Sequence, residues 1–225
     1  MKIKICCMQS IAEVELAARY GADALGFVSA MPSGPGPIPE PLIAELVRGV
    51  PAGVASFLLT SHVTAADIIA QARRLGPTTV QIVDRPEPGC HAAVRAALPA
   101  LRIVQVVHVT GPAAVDEALG FAPAVDALLL DSGNPSLAVK ELGGTGRTHD
   151  WATSRRIRES VRVPVWLAGG LGPENVAEAI ATARPFGVDV CSGVRTKGML
   201  DEEKLARFVA EAREASSQVR RPLIS

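Results

Sequence analysis

Short runs rich in β-branched and other apolar residues alternate along the chain with longer stretches in which apolar positions recur every three or four residues. Gly, Pro or Asp stands at most of the junctions. The short runs have the length of strands, and the longer Ala-rich, charged stretches have the period of amphipathic helices. Residues 2–6 (KIKIC) read as a first strand. Residues 11–20 read as a helix with Ile11, Val14 and Ala18 on one face, ended by Gly21. ADALGFV follows as a second strand. The same reading places strands at 54–59, 79–83, 102–107, 126–130, 163–168 and 187–191, and helices at 41–47, 65–75, 92–98, 113–121, 151–160, 174–182 and 202–215.

Eight strands, each followed by a helix, is the count a closed parallel (β/α)8 TIM barrel needs, and 225 residues lie close to the roughly 250 usual for that fold. An open doubly wound sheet is the alternative architecture. No linker or low-complexity tract interrupts the rhythm, so residues 1–225 are expected to form a single domain. Two long segments, MPSGPGPIPEP and DSGNPSLAVKELGGTGRTHDW, follow the second and sixth strands, at the end of a barrel where active-site loops lie.

Composition narrows the partners. With 23 Lys plus Arg against 23 Asp plus Glu, there is no electrostatic case for nucleic acid or an anionic membrane, and a small-molecule substrate is expected. The opening MKIKICCMQS has too few apolar residues for a signal-peptide core or a membrane span, which points to the cytoplasm. Cys6, Cys7, Cys90 and Cys191 have no metal-like spacing, and Cys6 and Cys7 are adjacent, so neither a disulfide framework nor a metal site is expected.

Candidate chemistry collects at the strand ends. Three glycine-bearing segments, Gly143–Gly146, Ala168–Gly170 and Ser192–Arg195, follow the last three strands, where backbone N–H groups can cradle a phosphate. Alternation puts Lys4 and Cys6 on one side of the first strand and Cys7 on the other. An ammonium below Cys6 would favour its thiolate, as a base or nucleophile requires; a buried structural thiol is the other reading. Asp131 ends the sixth strand, as a catalytic acid or as a loop-shaping residue. His108 ends the fifth, as a substrate contact or a rim histidine.

Taken together, KIC (4–6), GADALGFV, DALLLDS, GGTGRTHDW, LAGGLGPENV and VDVCSGVR resemble, in order and along nearly the whole chain, the phosphoribosylanthranilate isomerase family. The resemblance implies an Amadori rearrangement of N-(5-phosphoribosyl)anthranilate in tryptophan biosynthesis, without metal or cofactor, by a monomer or homodimer. It implies Cys6 as general base, Asp131 as general acid, and Gly144, Thr145, Gly146, Gly169, Gly170, Ser192 and Gly193 as the phosphate site. Apart from the resemblance, Lys4, His108 and Arg195 are further candidates for substrate contact. The chain departs from the family pattern at Cys7 (family Gly), at SGPGPIPE (33–40), which lacks the family's arginine for the anthranilate, at QIVD (81–84) in place of QLHG, and at Arg195 (family Glu). These departures keep two other readings open: a paralogous enzyme acting on a different phosphorylated sugar or amine, and a non-catalytic phosphate-ligand-binding protein with Cys6 and Cys7 as redox-sensitive thiols.

Overall fold

In the computed structural model, which describes residues 1–143 and 146–220, eight parallel strands hydrogen-bond in sequence order and close on themselves. They are β1 (Lys2–Ile5), β2 (Ala24–Val28), β3 (Ala55–Thr60), β4 (Thr79–Ile82), β5 (Arg102–His108), β6 (Ala127–Asp131), β7 (Val165–Leu167) and β8 (Gly187–Val190). The helices between and after them are α1 (Ile11–Arg19), α2 (Glu40–Arg48), α3 (Ala65–Leu75), α4 (Cys90–Ala97), α5 (Ala114–Phe121), α6 (Trp151–Ser160), α7 (Val176–Ala183) and α8 (Glu202–Arg220). The pairing of β1 with β8, which sets Lys4 opposite Asp189, closes the barrel and excludes the open sheet.

Strand alternation builds two cores. Ile3, Ile5, Leu25, Phe27, Leu128 and Leu130 point outward into the layer covered by the helices. Ala24, Val28, Phe57, Leu59, Val104, Val106, Leu129 and Trp166 fill the barrel interior. The helices start where the sequence supplies caps: Ser10 accepts from the Glu13 N–H, Thr64 from Asp67, and Asp150 from Ala152 and Thr153. α1 buries the expected Val14 together with Ala17, whereas Ile11, in its first turn, is 37% exposed and Ala18 is half-buried.

A short antiparallel hairpin, β9 (Arg195–Thr196) and β10 (Met199–Leu200), sits between β8 and α8, preceded by a 3-10 turn at Ser192–Val194. None of the described helices is long and apolar enough to cross a membrane.

Candidate active site

A cavity opens at the carboxyl ends of the strands. Cys6, Cys7, Asp131, Asp189 and Cys191 line it. So do Gly143, Gly146, Gly169, Gly170 and Ser192 from the three glycine segments, which the barrel therefore brings to one rim. Gly144 and Thr145 lie outside the described residues. Gly193 is packed behind the rim, where a Cβ would come 2.0 Å from the Leu171 carbonyl oxygen.

Lys4 of β1 and Cys6, the residue after it, point into the barrel on one side, as alternation requires, and Lys4 is fully buried with its Nζ 2.8 Å from Asp189 Oδ2. Burial pulls the Lys4 pKa down, but Asp189 and Cys6 more than offset it, so the group remains an ammonium. Cys6 does not follow the expectation from sequence. Burial pushes its thiol up to about 11, and the pull of Lys4 in the other direction is the smaller effect. Cys6 is therefore mainly a thiol at neutral pH. Burial also raises the pKa of Asp131, against the Ser132 N–H that donates to its Oδ1 at 2.7 Å, so a proton is held there more firmly than on an ordinary aspartate.

Cys7 lies beyond the last β1 pair with φ +65°, so alternation no longer governs it. Its sulfur forms a disulfide with Cys191, with the Cα atoms 5.9 Å apart. This corrects the expectation that the cysteines stay unpaired. Barrel closure brings together two residues 184 apart in the chain, which local spacing cannot reveal.

The three further candidates take places away from the cavity lining. Lys4 lies beneath it. His108 donates through Nε2–H to the Val83 carbonyl at 2.9 Å and faces a neighbouring hollow with Asp84, Gln105 and Lys140. Arg195 grips both Glu13 carboxylate oxygens, at 2.8 and 2.9 Å, and reaches the carbonyls of Cys6 and Cys7 from behind.

Sequence reasoning missed Asp189 and Gln81. Both line the cavity, and each carries a buried side-chain oxygen, Asp189 Oδ1 and Gln81 Oε1, with no hydrogen-bond partner. The available signal was parity: Gly187, Asp189 and Cys191 alternate onto one side of β8. The side of the cavity near β2 to β4 is formed by Met31, Ser33, Gly34, Pro35, Leu59 and Val83, and no Lys or Arg is among the described lining residues.

Fold and cavity together define a (β/α)8-barrel enzyme with paired ionisable groups and a glycine-lined rim at the carboxyl ends of its strands. Residues 3–211 match the family model described as N-(5'-phosphoribosyl)anthranilate (PRA) isomerase, and the chain belongs to that family. It is 36% identical over 222 residues to N-(5'-phosphoribosyl)anthranilate isomerase 2 of Methanosarcina mazei, covering 98% of this chain and 97% of that protein. It is 37% identical over 224 residues to the Haloferax volcanii N-(5'-phosphoribosyl)anthranilate isomerase, covering 97% and 96%. Among solved structures it resembles the phosphoribosyl anthranilate isomerase of Thermotoga maritima, with TM-score 0.80 and 28% identity over 95% of this chain and 99% of that one. It also resembles a phosphoribosyl anthranilate isomerase in complex with reduced 1-(o-carboxyphenylamino)-1-deoxyribulose 5-phosphate, with TM-score 0.77 and 26% identity over 95% and 99%.

Proposed function

We propose that this chain isomerises N-(5'-phosphoribosyl)anthranilate to the 1-amino-1-deoxy-ketose, with Asp131 as the acid and Cys6 as the base. The observation that carries the reading is that both groups line one cavity whose rim is made of the glycine segments. Asp131 gives its proton to the furanose ring oxygen as the C1–O bond breaks and the nitrogen lone pair forms the iminium. The Cys6 thiolate then takes the C2 proton, and the C–H electrons make the C1–C2 double bond of an enolamine. Ketonisation adds a proton at C1 and releases one from the C2 oxygen, so the overall change is proton-neutral. The sugar phosphate rests on Gly146, Gly169, Gly170 and Ser192, with Gly193 packed behind them, and the unpartnered oxygens of Asp189 and Gln81 accept from substrate hydroxyls. Lys4 supports the base from below, while Arg195 and His108 act on the walls of the site rather than on substrate.

Freshly prepared phosphoribosylanthranilate should lose its fluorescence when the protein is added, and Cys6→Ala and Asp131→Ala should abolish that loss. No loss at high protein concentration would overturn the reading. A second reading, isomerisation of a phosphoribosyl derivative of an uncharged amine, draws on the cation-free side of the cavity, where a carboxylate finds no guanidinium or ammonium among the described lining residues. A higher kcat/KM for phosphoribosylaniline than for phosphoribosylanthranilate would select it. We take the chain to act in the cytoplasm as one domain, as a monomer or homodimer, which sedimentation of the purified protein would distinguish.

A further inference from the structure

We infer that Cys7 and Cys191 form a redox-responsive clasp that assembles the cavity when oxidised and loosens it when reduced. The pair spans the seam where the barrel closes. Cys7 directly follows Cys6, the base, and Cys191 directly precedes Ser192 on the glycine-bearing rim. The bond therefore ties the turn after β1 to the turn after β8, the two pieces that must hold a fixed distance if base and phosphate are to meet one substrate. The inference rests on the proposed site for its functional readout, although the bond itself does not.

Three further observations give the clasp mechanical consequence. Cys7 holds φ +65°, a left-handed conformation that costs a residue bearing a Cβ, so something outside the residue has to hold it there. The disulfide does this from one side. From the other, the buried Arg195 guanidinium binds the Cys7 carbonyl while clamped on Glu13. The loop after β2 also rests on the clasp: a Cβ at Gly36 would come 2.7 Å from Cys7 Cβ and 2.8 Å from its Sγ. Opening the bond thus releases strain at Cys7 and frees a piece of the cavity wall as well as the turn beside the base.

The bond is reachable. Cys7 is only 4% exposed, but Cys191 is partly exposed, and both line a surface hollow with Gln9, Pro35 and Gly198. A glutathione thiolate attacks the Cys191 sulfur and the S–S electron pair leaves on Cys7, which takes a proton. A second glutathione thiol then displaces Cys191 as a thiol, and the two glutathione sulfurs end joined as a disulfide. Two electrons pass from reductant to protein, and oxidation by a small-molecule disulfide runs the same steps backward.

The test equilibrates the full-length protein in oxidised and in reduced glutathione buffers and traps thiols by alkylation. Disulfides are then mapped by peptide mass spectrometry, and affinity for inorganic phosphate and kcat/KM are measured in each state. Expected are a Cys7–Cys191 linkage in the oxidised sample and, on reduction, a loss of about tenfold in phosphate affinity with a parallel fall in kcat/KM. Cys191→Ala should be indifferent to the buffer. Cys7→Gly, which adopts a positive φ without strain, should be equally indifferent and should bind phosphate more tightly than Cys191→Ala. Pairing of Cys7 with Cys6, thiols that stay free in the oxidised buffer, or equal or absent phosphate affinity in both states would each overturn the clasp. Redox-dependent phosphate binding without turnover in either state would support the clasp and sink the proposed reaction.

Discussion

Gly26 of β2 packs directly against Cys6, the residue after β1: a Cβ at position 26 would lie 2.6 Å from Cys6 Sγ and 3.2 Å from Lys4 Nζ. The Cys6 Cα would also lie 3.2 Å from that Cβ, so Gly26→Ala should displace the thiol and the ammonium together. With about 1 Å of misplacement, kcat should fall by about a hundredfold while overpacking costs stability about 1–3 kcal/mol. A variant that folds and keeps wild-type kcat would show that the sulfur's position does not matter to the reaction.

The Lys4–Asp189 pair is the chief charge couple inside the barrel, at 0% and 8% side-chain exposure. Lys4→Met leaves the Asp189 carboxyl without its buried partner, so stability in denaturant should drop by about 3–5 kcal/mol. Lys4→Met with Asp189→Leu should recover much of that loss without recovering activity. A single variant as stable as the parent would mean that water already reaches the pair.

The acid and base have an unusual order. Cys6 titrates near 11, whereas Asp131, although raised, starts from the carboxylate range. The reaction needs Asp131 protonated and Cys6 ionised. As pH rises between their two apparent pKa values, thiolate is gained as fast as carboxylic acid is lost, so kcat/KM should be level there. Above about 11, where the last shared proton leaves, it should fall about tenfold per pH unit. In Asp131→Asn the loss side is gone, and residual activity should instead climb about tenfold per unit toward that same value. A wild-type profile that climbs steadily from pH 8 to 10 would refute this pairing.

The level of detail legible in the sequence follows the range of the physics involved. Alternation and helical period are local, and they placed the eight barrel strands and the eight α-helices described to within a few residues, though not the β9–β10 hairpin, along with the shared face of Lys4 and Cys6. Asp131 and the glycine segments were legible because strand ends are legible. The balance between burial and charge at Cys6 was not: Lys4 two residues away is visible in the sequence, but the depth at which both sit is set by the whole barrel. The Cys7–Cys191 bond and the partnership of Arg195 with Glu13 were hidden for the same reason, since each joins segments more than 180 residues apart.

Gly170 separates a local cost from a functional one. Its φ of +61° disfavours any side chain, and a Cβ there would meet backbone, at 2.5 Å from the Arg147 carbonyl carbon and 2.7 Å from the Thr148 nitrogen. Gly76, the C-cap of α3, has a similar φ of +67° but open space around its Cβ position. Both alanine variants carry the left-handed strain of about 1–2 kcal/mol. Only Gly170→Ala must also push the loop after β6 away from the loop after β7, and with it the rim on which the phosphate is proposed to rest. Calorimetry with inorganic phosphate should therefore find Gly76→Ala binding like the parent at a lower thermal midpoint. Gly170→Ala should lose midpoint and at least about tenfold in affinity, because a backbone N–H displaced by about 1 Å no longer reaches its anion. Equal affinities in the two variants would place the phosphate elsewhere on the rim.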